Sequence, residues 1–132
     1  MKTSIILADD HVLVRQGLRR IIQEDPAMQV IHEAGDGVEL LGFLEESTPD
    51  IVILDISMPR LQGLVAAQII KRLYPGIKIL ILTMHRERTY FKKAMELGVN
   101  GYVLKDEADT ALNTAIKAVL EGKTYFSPLL VR

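Results

Sequence analysis

Four short apolar runs end on, or run directly into, residues able to do chemistry. "SIILA" leads into Asp9-Asp10, "IVILD" ends on Asp55, "IKILILT" on Thr83 and "GYVLK" on Lys105. Three carboxylates, a hydroxyl and an ammonium are the parts of a site that handles phosphate. Carboxylates gather round a hard cation, one of them can attack phosphorus as a nucleophile, and the hydroxyl and ammonium can bear charge on the transferring group. Taken singly, each residue is equally well read as the place where a strand meets solvent. Taken together, they need a cation, because two carboxylates about 4 Å apart repel by about 4 kcal/mol at an effective dielectric near 20. An all-oxygen donor set in a chain without Cys favours Mg²⁺ or Mn²⁺ over Ca²⁺, with water completing the octahedron.

Such residues meet only if the fold places these strand ends side by side. Between the apolar runs, counting "MQVIHEA" as a fifth, lie segments whose apolar residues fall at helical spacing. The pattern predicts helices over about 11–23, 38–46, 64–74, 88–97 and 109–121. The first carries a stripe of Val14, Leu18, Ile21 and Ile22, and the last turns Leu112, Ala115, Ile116 and Val119 inward. Asp36 is a candidate N-cap for the second, with Glu39 three positions on, while Pro75-Gly76 and Gly98 stop the third and fourth. Alternation of strand and helix predicts an α/β fold, a flavodoxin-like doubly wound sandwich on a parallel five-stranded sheet of order 2-1-3-4-5. "MQVIHEA" alternates and "GYVLK" is short, as suits the two edges. In that order the ends of strands 1, 3, 4 and 5 are neighbours.

A chain of 132 residues, 48% hydrophobic and 25% charged, suits one domain with a single core. Residues 1–122 are expected to form it, and 123–132 to be a tail or the start of a linker to an output domain. A net charge of −1 gives no overall basic excess, so nucleic-acid binding does not follow from charge. No apolar run could span a bilayer, and Met1-Lys2-Thr3 leads straight into a strand, which predicts a cytoplasmic protein with no membrane partner.

"LADDH", "LDISMP", "LTMH" and "GYVLKD" together make the chain closely similar to the receiver domain of two-component response regulators. With "EGKTYFSP" added, it resembles the NarL/FixJ subfamily, whose members carry a C-terminal helix-turn-helix DNA-binding domain. The resemblance implies that Asp55 is the phosphoacceptor. Asp9 and Asp10 would serve Mg²⁺, Asp10 directly and Asp9 through water, and the backbone carbonyl of Ser57 would be a further ligand beside Asp55. Lys105 would pair with one phosphoryl oxygen and Thr83 with another, and Tyr102 would turn inward as Thr83 shifts. Implied partners are a histidine kinase, a second copy on phosphorylation, and DNA only through an output domain absent from this chain. The chemistry implied is self-phosphorylation and self-dephosphorylation, not turnover as an enzyme. Gly63 stands where the family has a glycine. Arg60 replaces a common glycine, Val65 a common glutamate, and Asp106 the proline that often follows the lysine.

Three other readings compete. A receiver-like module could dock partners without accepting phosphate. An Asp-nucleophile phosphatase of the haloacid-dehalogenase type would carry a second Asp at the position of Ser57. A flavodoxin-like cofactor binder would offer Ser, Thr and Gly amides after the first strand, where Asp9-Asp10 instead repel phosphate. His85 either touches the water that hydrolyses the acyl phosphate or faces solvent. His11 is expected to have no metal role, His32 to lie on an edge strand, and Met58 and Met84 to be packing residues.

Overall fold

The computed structural model describes residues 2–130, so Met1 and the last two residues of the expected tail, Val131 and Arg132, lie outside the described residues. In chain order the elements are β1 (Thr3–Ala8), α1 (Val12–Ile22), β2 (Met28–Ala34), α2 (Gly37–Leu44), β3 (Ile51–Leu54) and α3 (Gly63–Leu73). They continue with β4 (Lys78–Thr83), α4 (Arg88–Leu97), β5 (Gly101–Leu104), α5 (Ala108–Leu120) and β6 (Tyr125–Phe126). Single 3₁₀ turns occupy Lys105–Glu107 and Pro128–Leu130.

The sheet is parallel, in the order β2-β1-β3-β4-β5-β6. The expected five-strand order holds, but a sixth strand extends it, and β5 is not the edge. The reason lies in the open backbone that a short fifth strand would leave. Tyr125 N–H donates to Asn100 O at 3.0 Å and Ser127 N–H to Tyr102 O at 2.9 Å. Part of the expected tail is thereby taken into the sheet.

Alternation along the strands divides the core between two faces. Ile5 and Leu7 of β1 join Leu18 and Ile22 of α1 and Leu112, Ala115, Ile116 and Val119 of α5. Ile6 and Ala8 face the other way, toward Leu40 of α2, Leu64 and Ile70 of α3 and Ala94 of α4. β3, buried along its whole length on both faces, is the central spine. One residue of the predicted α1 stripe departs: Val14 is 42% exposed, because α1 buries apolar side chains only from Leu18 onward. Its first turn stands beyond the end of β1.

α2 starts as expected. Asp36 accepts from Glu39 N–H at 2.8 Å, and Glu39 Oε1 reaches back to Gly35 N–H at 2.8 Å, one residue earlier than a standard capping box. α4 ends on Gly98, whose φ of 81° suits a residue without a Cβ.

Candidate functional site

Because β1, β3, β4 and β5 are consecutive neighbours, the residues following or closing them are drawn together at the carboxyl ends of the strands. Asp9 (1% exposed), Asp55 (5%) and Thr83 (0%) are buried there. The Lys105 ammonium lies between two carboxylates, 2.6 Å from Asp9 Oδ2 and 2.7 Å from Asp55 Oδ2. Burial by itself would lower the Lys105 pKa. The hydrogen bonds and charges of Asp55 and Asp9 outweigh it, so the pKa is raised and the group stays a cation.

The remaining oxygens are unevenly served. Asp55 Oδ1 accepts from Ile56 N–H at 2.7 Å, and Asp9 Oδ1 from His11 N–H at 2.9 Å. Asp9 Oδ2 is buried and has no aligned hydrogen bond, only the Lys105 charge beside it. Asp10 is more open, with His11 Nδ1 3.1 Å from its Oδ1. Three carboxylates against one ammonium leave a surplus of negative charge. An orphaned carboxylate oxygen in that surplus is what a hard divalent cation would satisfy, and the residues present fit Mg²⁺. One ligand atom each from Asp9, Asp10 and His11 lie within 4.8 Å of one another. His11, the N-cap of α1, is placed directly against the acid pair, although its ring is largely exposed.

Thr83 is close in the fold but engaged elsewhere, its Oγ1 accepting from His85 N–H at 3.3 Å. Tyr102 is already inward, fully buried, and donates to His85 O at 2.9 Å. Burial chiefly, then the charges of Glu87 and Asp55, raise its pKa, so the phenol remains a neutral donor. Ser57 is exposed, with its Oγ 2.6 Å from His85 Nε2, and His85 Nδ1 lies 3.2 Å from Glu87 Oε2. His85 therefore ties the loop after β3 to the loop after β4. It is half-buried, so it does not simply face solvent.

Sequence reasoning missed that link, because Ser57 and His85 lie in the loops beyond β3 and β4, which have no period to read. Arg15 was also missed. It donates to Asp9 O at 2.6 Å and pairs with Glu33 at 3.0 Å, fixing the end of β1 against β2. Met58 is buried as expected, but Met84 is 64% exposed and packs little. His32 stacks on Phe43 with ring centres 4.2 Å apart.

The backbone around Asp55 depends on two special residues. A Cβ on Gly63 would lie 1.8 Å from the Asp55 carbonyl oxygen, so only glycine lets α3 begin this close. Gly63 N–H donates to Ile56 O at 2.7 Å. Arg60 adopts the left-handed conformation that a glycine would take freely, with φ of 65°, and its guanidinium is 2.8 Å from Asp36 Oδ2. No cis peptide occurs among the described residues, so Lys105-Asp106 is trans, and Asp106 pairs with Arg86.

Residues 5–117 match the family model described as the response regulator receiver domain. Among curated proteins, the oxygen regulatory protein NreC of Staphylococcus epidermidis is 41% identical over 122 residues, covering 92% of this chain and 56% of that protein. The transcriptional regulatory protein DegU of Brevibacillus brevis is 34% identical over 127 residues, covering 96% of this chain and 54% of that protein. The chain thus spans about half the length of these relatives. Among solved structures, a LuxR-family two-component response regulator from Aurantimonas sp. SI85-9A1 superposes with a TM-score of 0.93 at 38% identity, covering 98% of this chain and 93% of that one. The isolated receiver domain of RcsB from Salmonella enterica serovar Typhimurium, solved with the phosphomimetic BeF₃⁻, gives 0.92 at 29% identity over 98% of this chain and 96% of that one. Matched along most of its length by the family model, and by relatives well above 30% identity, the chain belongs to the response regulator receiver domain family.

Proposed function

We propose that this chain is the phosphoacceptor switch of a two-component system and that Asp55 is the residue phosphorylated. The observation carrying this reading is the Lys105 ammonium shared between buried Asp9 and buried Asp55. Asp55 stands at the end of a strand buried along its whole length, held by Ile56 N–H and Lys105, so little reorganisation separates it from attack.

A carboxylate oxygen of Asp55 attacks the phosphorus of a histidine kinase's phosphohistidine, or of a small phosphodonor. The P–N or P–O bond to the donor breaks and an acyl phosphate forms on Asp55. Asp10, Asp55 and the Ser57 backbone carbonyl would hold Mg²⁺, with Asp9 acting through water, and the bound ion would supply charge neutralisation. Lys105 exchanges its contact with Asp55 Oδ2 for a phosphoryl oxygen. Thr83 turns its hydroxyl from His85 N–H toward another, and Tyr102 stays packed inward beneath the shifted loop. The new charge, about −2 at most, is what these donors compete for. Ser57, hydrogen-bonded to His85, is not the second acid that a phosphatase of Asp-nucleophile type would need.

The receiver takes in residues 1–122 and β6, which completes its sheet, and the segment after β6 leads toward an output domain. That its relatives are about twice as long, and include transcriptional regulators, supports control of transcription as the output. RcsB, a structural neighbour, has been solved as dimers bound to DNA. Dimerisation on phosphorylation and residence in the cytoplasm belong to the same reading. Among the described residues, no helix is long and apolar enough to cross a membrane.

Intact-mass measurement with acetyl phosphate tests this. The wild type should gain one phosphoryl group only when Mg²⁺ is present, and Asp55→Asn should gain none. Incorporation into Asp55→Asn at the wild-type rate would refute the assignment.

A further inference from the structure

β6 is only two residues long, too short to hold itself on the sheet by backbone pairing. What seats it is aromatic. Phe126 meets Phe91 of α4 edge to face, with centroids 5.5 Å apart and planes at 84°. Phe91 meets Tyr102 in the same way, at 5.3 Å and 88°. Ser127, fully buried, donates its N–H to the Tyr102 carbonyl. Tyr102 is therefore linked to the added strand twice, through its ring by way of Phe91 and through its own backbone. Gly101 allows the strand to approach, since a Cβ there would lie 3.2 Å from Tyr125 O and 2.2 Å from Leu80 Cδ1.

The other end of this chain of contacts is the acceptor site. One residue, His85, gives its N–H to Thr83 and its carbonyl to the Tyr102 hydroxyl. Any shift of Thr83 toward a phosphoryl group moves the loop on which the Tyr102 ring is hung. With the ring inward, Phe91 has a wall to pack on and Phe126 has Phe91. Were the ring to leave, a gap would open under Phe91, and β6 would lose the packing that compensates for its length.

We infer that β6 is a readout element: the inward Tyr102 ring seats residues 125–130 through Phe91, and phosphorylation of Asp55, by favouring that ring position, tightens their hold on the sheet. The signal thus leaves along the edge from which the chain continues. This rests on the phosphoacceptor reading proposed above. Linkage makes the effect reciprocal, so whatever fixes β6 also favours the phosphorylated arrangement.

Amide hydrogen exchange on the whole 132-residue chain, with Mg²⁺ and with or without acetyl phosphate, tests it, with intact mass followed in parallel. Exchange of the peptide covering 124–130 should slow about fivefold on phosphorylation, the low end of ordinary coupling between sites. Phe126→Ala, which truncates a half-buried side chain and leaves the site intact, should still gain the phosphoryl mass but lose the slowing. A gain in mass with unchanged or faster exchange at 124–130 would overturn the inference alone. Persistence of the slowing in Phe126→Ala would overturn the aromatic route. No gain in mass at all would overturn the switch and this inference with it.

Discussion

One strand carries an aspartate just before its first residue and another just after its last. Asp50 precedes β3 and Asp55 follows it, and their surroundings differ in kind. Asp50 is exposed and accepts from Ser4 N–H at 2.8 Å and Ser4 Oγ at 3.2 Å, two neutral donors that bind β1 to the start of β3. Asp55 is buried and faces an ammonium it must share, with Asp9 on the other side. At the amino end the carboxylate is satisfied by the fold. At the carboxyl end the fold holds more negative charge than its own residues neutralise. That difference is why we read Asp55 rather than Asp50 as the acceptor, since unbalanced buried charge persists where function requires it.

Asp55→Asn should break the contrast most completely. It should abolish phosphoryl incorporation and, in metal-free buffer, raise unfolding stability by about 1 kcal/mol, because it removes one of the mutually repelling carboxylates. Urea denaturation measures the second effect, and a loss of stability would show that the site is not overcharged. Mg²⁺ should stabilise the wild type more than this variant.

Lys105→Met acts in the opposite direction. With Asp9 and Asp55 left facing each other, a loss of about 3 kcal/mol in metal-free buffer is expected, the scale for stripping one partner from a buried pair. Added Mg²⁺ should recover part of it. The pH dependence has a definite sign. Since the Lys105 pKa is raised in the fold, its stabilising contribution is complete below the unfolded value and disappears as pH rises through the higher folded one. Wild type and variant should therefore converge in strongly alkaline buffer, as read from denaturation midpoints.

Gly63→Ala tests whether the acceptor strand is held as tightly as its geometry implies. A methyl group 1.8 Å from the Asp55 carbonyl cannot be absorbed by a side-chain rotation, so a loss of about 2 kcal/mol is expected, together with slower phosphorylation by acetyl phosphate. Wild-type rates would mean that the α3 start can move without disturbing Asp55.

What was legible in the sequence follows from period and from position. β3 and α5 could be read because nearly every residue obeys the pattern its element requires, and Asp9, Asp55, Thr83 and Lys105 because each closes or follows an apolar run. The topology then brought them together. Val14 was misjudged because helical spacing does not say where the sheet beneath stops. β6 was invisible because two residues have no period, and its place was fixed by Phe91 and Tyr102, distant in sequence. The engagement of Thr83 with His85 rather than Asp55 could not be read either, since a hydroxyl's partner depends on loop conformation. Arg60 is instructive here. It replaces a common glycine, yet the backbone keeps the left-handed turn and Asp36 takes up the guanidinium.

Asp50→Asn is expected to do the least, and is informative for that reason. The amide keeps an oxygen to accept from Ser4 N–H, and the position is exposed, so stability should change by no more than about 0.5 kcal/mol. Phosphorylation should proceed as in the wild type, because four buried residues, Ile51 to Leu54, separate the two carboxylates and the negative charge removed lies at the far end of the strand. A slowed phosphorylation in Asp50→Asn, with the fold intact by denaturation, would mean that the pairing of β1 with β3 at Ser4 helps to set the position of Asp55. The two ends of the strand would then be one mechanical unit, and the contrast between them would concern charge alone.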